Sequence, residues 1–177
     1  MLHKFRLIPL ALLATAALYA ATPTVGEQAP DFALRSLTGA EVRLSDVAKK
    51  GTVVLLALRG FPGYQCPLCN RQVKDFVHRA DAFSKTGIQV VMVYPGPPDR
   101  AAEFAADKNL PANFHLLLDA DYAFTNLYSL RWNAPNETAY PAAFVLGTDL
   151  RVKFAKVSDT HGGRASAAEV LDAVGAK

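Results

Sequence analysis

The chain has 177 residues, 51% of them hydrophobic, and no long polar tract, which suits one globular domain with a full core. Nineteen Lys and Arg face sixteen Asp and Glu, a formal charge of +3; setting aside Lys4 and Arg6 at the N-terminus leaves 17 against 16, a balance of +1. So small an excess argues against nucleic acid as a partner, because phosphate backbones are held by clustered basic charge.

Taken in chain order, His3, Lys4 and Arg6 form a basic start, Leu7 to Leu18 an apolar stretch, and Ala20-Ala21 a small-residue cleavage site. That order is the pattern of a secretory signal over residues 1–20. Cleavage near Ala20 is predicted, delivering residues 21–177 as one domain to a periplasm or the medium. An uncleaved membrane anchor is the alternative.

Asp31 to Leu34 and Glu41 to Leu44 are short alternating runs around Leu37-Thr38-Gly39, which predicts a hairpin. Ser45-Asp46 offers an N-cap for a short helical turn ending at Gly51. Thr52 to Leu58 is continuously apolar, the pattern of a strand buried on both faces of a mainly parallel sheet. A loop rich in breakers, Arg59 to Gln65, leads to Cys66-Pro67-Leu68-Cys69.

From Cys66 to about Ser84, Leu68, Val73, Phe76, Val77, Ala80 and Phe83 recur at helical spacing, and Gly87 stops the run. Ile88 to Tyr94 reads as a second buried strand, Pro97 to Lys108 as a helix, His115 to Leu118 as a short strand and Tyr122 to Leu130 as a helical patch. Ala142 to Leu146 and Val152 to Val157 form a predicted antiparallel hairpin, and Ala165 to Val174 a closing helix. This order of elements predicts a three-layer α/β domain with a mixed central sheet and an N-terminal hairpin extension. The Cys pair then falls just past the carboxyl end of the first buried strand, where open α/β sheets place their sites.

Cys66 and Cys69 are the two cysteines of the chain. Positions i and i+3 share a helix face, so their sulfurs can approach bonding distance. A disulfide between them closes too small a loop to add much stability, which favours a chemical role over a structural one. At a helix N-terminus, backbone N–H groups and the positive end of the dipole favour the thiolate. Cys66 is therefore predicted to be the more acidic and more exposed sulfur and the nucleophile, with Cys69 buried one turn in as the resolving thiol. Pro67 suits the first helical position, where a missing N–H costs nothing.

Far downstream, Tyr140-Pro141 opens an apolar strand. The plain reading is a strand-edge proline. The functional one is a cis peptide facing the dithiol, whose backbone would pair with an extended substrate, making Tyr140 and Pro141 substrate-binding.

The run Val53 to Phe61 with Cys66-Pro67-Leu68-Cys69, and the opening Val25-Gly26-Glu27-Gln28-Ala29-Pro30-Asp31-Phe32, resemble the thioredoxin-like superfamily over about residues 25 to 175. The closer resemblance is to its peroxiredoxin-like branch, of the alkyl hydroperoxide reductase, thiol-specific antioxidant and redoxin type. It implies a thioredoxin-like fold and thiol-dependent oxidoreductase activity. Peroxidases of that branch carry Pro-x-x-x-Thr-x-x-Cys, and Pro62 to Cys69 keeps the offset, with Cys69 at the peroxidatic position and Cys66 where threonine stands. The arginine that the branch carries before its late strand would fall at about Pro141 and is missing there. Threonine and arginine orient the peroxide and stabilise the departing oxygen, so the resemblance implies a peroxiredoxin-like scaffold with a thioredoxin-style dithiol.

Two main functions compete. One is an exported thiol:disulfide oxidoreductase with Cys66 attacking and Cys69 resolving; the other is a thiol peroxidase with Cys69 peroxidatic. A lesser third is a copper-binding chaperone, for which His161 lies in the wrong context. His78 and His115 read as surface or core residues, and Trp132 as packing or as a wall beside the dithiol. Arg59 and Tyr64 flank the site, with an exposed arginine the default. No cofactor or metal is expected. The expected partners are a protein or small-molecule thiol, disulfide or peroxide as substrate and a separate redox protein as electron donor, with the oligomeric state left open.

Overall fold

The computed structural model describes residues 21–175, so the signal segment predicted over residues 1–20 lies outside the described residues. A hairpin of β1 (Ala33–Ser36) and β2 (Glu41–Arg43) leads to α1 (Leu44–Ala48) and β3 (Val53–Ala57). After the dithiol loop come α2 (Pro67–His78), α3 (Ala80–Lys85), β4 (Gln89–Tyr94), α4 (Pro98–Ala105), β5 (Phe114–Leu118) and α5 (Ala123–Leu127). The chain closes with β6 (Ala142–Leu146), β7 (Val152–Val157) and α6 (Ala167–Ala173).

The strands form one mixed sheet in the order β2-β1-β5-β4-β3-β6-β7. β3, β4 and β5 run parallel, while β1 against β5, β6 against β3 and the β6–β7 hairpin are antiparallel. Strand side chains alternate between two cores. Val54, Leu56, Val90, Met92 and Val145 face α2, α3, α4 and α6 through Val73, Phe76, Phe83, Phe104 and Val170. Val53, Leu55, Val91, Val93 and Phe144 face Leu44, Val47, Phe124 and Tyr128 on the other side. Both faces of β3 are therefore sealed, which is why its sequence is an unbroken apolar run. Helix, sheet and helix make the three-layer α/β domain with an N-terminal hairpin that the element order predicts. No helix among the described residues is long and apolar enough to cross a membrane.

Two local expectations are corrected. Ser45 and Asp46 do not cap α1; Asp31 does, accepting from the Ser45 amide at 3.0 Å and its hydroxyl at 2.8 Å across the hairpin. The helix predicted from Cys66 to Ser84 is also two helices. Arg79, at φ −105° and ψ 16°, leaves the helical region, and the turn lets Phe83 stack on Phe76 at 5.4 Å and meet Phe114 edge-on at 6.0 Å.

Candidate active site

The loop after β3 is shaped by glycine and anchored at both ends. Gly60 adopts φ +64°, and a Cβ there would lie 1.9 Å from the Pro95 carbonyl oxygen, so glycine alone fits. Gln65 accepts from the Tyr94 hydroxyl at 2.9 Å and donates to the Arg100 carbonyl at 2.8 Å. Cys66 then becomes the N-cap of α2, its Sγ accepting the Cys69 amide at 3.2 Å, with Pro67 at the first helical position.

The two sulfurs sit in different electrostatic settings. The thiol of Cys69 donates to Cys66, and with the Cys69 amide and the charges of Arg164 and Arg59 this outweighs burial and brings Cys66 down to about 6. Burial, reinforced by the Cys66 sulfur, pushes Cys69 well above the usual thiol range. One sulfur is thus held as a thiolate and the other as its proton-bearing neighbour. Cys66 is the less buried of the two, as expected, but only slightly: it is 2% exposed and Cys69 fully buried. Arg164 Nη2 stands 3.7 Å from the Cys66 Sγ.

Arg59 also departs from the expectation of an exposed side chain, being 3% exposed. Its Nε and Nη2 donate to the Glu137 carboxylate at 2.5 and 3.0 Å, Nη2 also to the Asn136 carbonyl at 2.8 Å, and Nη1 to the Tyr64 hydroxyl at 2.9 Å. Glu137 accepts in addition from His161 Nε2 at 2.8 Å. Burial opposes its charge, yet the bonds from Arg59 and His161 hold its carboxyl below the ordinary range. Trp132 stacks on Tyr140 at 4.6 Å and tilts against His161 at 5.1 Å, so it packs against the loop that carries His161.

Residues 25–155, about three quarters of the chain, match the AhpC/TSA family. The chain belongs to the AhpC/TSA family. Among curated relatives, a protein of Helicobacter pylori (strain J99 / ATCC 700824) assigned as a peroxiredoxin, bcp, is 34% identical over 59% of this chain and 64% of its own length. The thiol-disulfide oxidoreductase ResA of Geobacillus kaustophilus (strain HTA426) is 30% identical over 60% of this chain and 58% of its own. This AhpC/TSA chain therefore matches less than two thirds of either relative's length. The solved structure of peroxidoxin BcpB from Mycobacterium tuberculosis superposes with a TM-score of 0.71 at 23% identity, covering 86% of this chain and 94% of that one. That likeness establishes the thioredoxin-like peroxiredoxin fold.

The cis peptide expected at Tyr140-Pro141 is not present. Their peptide bond is trans, as is every bond among the described residues. The Tyr140 amide donates to the Leu130 carbonyl and the Pro141 carbonyl accepts from the Ser158 amide, each at 2.8 Å. Pro141 works as a strand-opening proline where β6 begins beside β7. Of the four candidate residues, the fold brings Cys66 and Cys69 together.

Three residues around the dithiol escape a reading of the sequence. Arg164 follows Gly162-Gly163, a context with no local signature, and Glu137 sits in a polar loop. Gln72 did leave a trace. It is 7% exposed on α2, a polar residue on the buried side of an amphipathic helix. Among the described residues no group of three or more His, Cys, Asp or Glu is placed to hold a metal ion.

Proposed function

We propose that this AhpC/TSA chain is a thiol peroxidase in which Cys66 attacks a small peroxide and Cys69 resolves the product. The observation that carries this reading is the split between the two sulfurs: a thiolate at Cys66 with its pKa near 6 and a neutral, buried Cys69. A peroxide is attacked by a thiolate, so the sulfur at the family's peroxidatic position, Cys69, is the poorer nucleophile here.

The chemistry balances within the pair. The Cys66 thiolate forms an S–O bond as the O–O bond breaks, and the departing hydroxide or alkoxide takes a proton, leaving a sulfenic acid. The Cys69 sulfur then attacks Cys66; the S–S bond forms and water leaves with the Cys69 proton. Sulfur has lost two electrons and the peroxide has gained them. A dithiol reductant, small or proteinaceous, returns them. Burial of Cys66 favours a peroxide-sized substrate over a folded protein's disulfide, and the peroxiredoxin relatives point the same way.

Disulfide exchange is the second reading, favoured by the Cys-x-x-Cys at the start of α2 and by the ResA relatives. One set of variants separates them. Hydrogen peroxide consumption with dithiothreitol as donor is expected from the native chain and reduced to background by Cys66→Ser, while Cys69→Ser, exposed to peroxide with no external thiol present, accumulates a Cys66 sulfenic acid and forms no internal disulfide. A Cys66→Ser protein that still consumes peroxide, or a native chain that reduces insulin disulfides but no peroxide, overturns the proposal.

A further inference from the structure

We infer that Arg164 is the guanidinium that holds the Cys66 thiolate, and that buried Gln72 is the positioning residue that aims it. This rests on the reading of Cys66 as the attacking sulfur. The resemblance puts the family's arginine at about Pro141, where this chain has none, and the guanidinium beside Cys66 comes from another part of the fold, the loop between β7 and α6.

The Arg164 side chain is fixed at each nitrogen. Its Nε donates to the His161 carbonyl at 3.0 Å, Nη1 to Gln72 Oε1 at 3.2 Å and Nη2 to Cys66 Sγ at 3.7 Å. A planar guanidinium held at two points has its third direction determined, and here that direction ends on sulfur. Gln72 uses both ends of its amide, since its Nε2 donates to the Ala165 carbonyl at 3.0 Å. It therefore grips the backbone and the side chain of neighbouring loop residues at once.

Gln72 stands on the same helix as both cysteines, three residues beyond Cys69, so a rigid element carries the thiolate and the clamp together. Its neighbours Val73 and Phe76 belong to the apolar core, where leucine would pack equally well. A buried glutamine on that face is accounted for by what its two ends hold. The acidic groups near Arg164 are otherwise engaged: Asp75 accepts from the Ala167 amide at 2.7 Å and pairs with Arg79, and Glu137 is held by Arg59 and His161. Among the described residues the sulfur is the anion that Arg164 meets.

The test reads the thiolate itself, with no peroxide present, so it stands or falls separately from the peroxidase reading. Iodoacetamide alkylation of Cys66 in the reduced chain, located by peptide mass and followed against pH, is expected to show a midpoint near 6. Arg164→Gln should raise it by about one unit, roughly a tenfold loss of alkylation rate on the acid side. Arg164→Lys should restore part of the shift. Gln72→Leu, which keeps the packing, should move the midpoint the same way by less, about threefold in rate.

Arg71→Gln serves as the control, because Arg71 is exposed, lines the same ≈ 570 Å³ cleft between α2 and residues 162–166, and makes no contact with Cys66. It should leave the midpoint in place. A purely structural clamp predicts lower stability for Arg164→Gln and Gln72→Leu with an unchanged midpoint, and that result overturns the inference, as does an equal shift from Arg71→Gln. Should Gln72→Leu fail to fold, the Arg164→Gln and Arg164→Lys pair still decides, since residue 164 lies on a loop.

Discussion

Cys66 is an N-cap built from sulfur, and its charge is the feature on which the chemistry turns. A pKa lowered by folding is also a statement about stability. With Cys66 brought to about 6, the folded reduced chain carries the thiolate at pH values where the unfolded chain still binds the proton. The unfolded state then binds more protons, so this contribution is complete above the ordinary thiol pKa and is lost as pH falls through about 6. Cys69 acts with the opposite sign: raised by burial, it contributes fully below the ordinary thiol range and loses its contribution as pH rises beyond it. Urea unfolding of the reduced protein should therefore show a midpoint that climbs from pH 6 to pH 8 relative to Cys66→Ser. The oxidised protein, lacking both thiols, should show no such climb against the same variant. Parallel pH profiles for the reduced native chain and Cys66→Ser would refute the thiolate assignment.

The turn between α2 and α3 shows how packing overrides a periodic pattern. Apolar spacing alone carries the helix from Cys66 to Ser84, yet the break at Arg79 swings Phe83 into a three-ring cluster, stacked on Phe76 and edge-on to Phe114. Phe83 and Phe76 are fully buried, so the cluster closes the core beneath the dithiol helix. Phe83→Ala should lower the unfolding free energy by about 3–5 kcal/mol, with little change in the denaturant slope. A loss under about 1 kcal/mol would mean that the site collapses without penalty and that the break has another cause. Most of the fold was legible for the same reason that this detail was not. Strands β3, β4, β6 and β7 follow from continuous or alternating apolar runs set by the local chain, as does the hairpin of β1 and β2. Helix caps and breaks depend on partners distant in sequence, such as Asp31 for α1, and local periodicity carries no record of them.

The site joins three stretches that the chain keeps far apart: the loop after β3, the segment before β6 and the loop after β7. The dithiol was legible because both sulfurs lie within one helical turn, where spacing alone sets geometry. Arg164, Glu137 and the burial of Arg59 were not, since each acquires its role by crossing between those stretches. Glu137 is the joint, receiving Arg59 from the first and His161 from the third while itself belonging to the second. The Arg59 and Glu137 side chains are 4% and 10% exposed, so their pair is shielded from solvent, whereas the His161 side chain is 48% exposed. Removing one partner from a buried pair leaves an uncompensated charge, which costs about 3–5 kcal/mol. Glu137→Ala should lose that much in urea unfolding, because the Arg59 guanidinium keeps only the Asn136 carbonyl and the Tyr64 hydroxyl. Glu137→Gln should lose less, as its amide oxygen still accepts one N–H. His161→Ala, removing a half-exposed partner, should cost about 0–1 kcal/mol. A buried joint demands that order, with Glu137→Ala the worst, Glu137→Gln intermediate and His161→Ala the mildest; equal, small losses for all three would show that the loops are held together by their aromatic packing at Trp132 and Tyr140 instead.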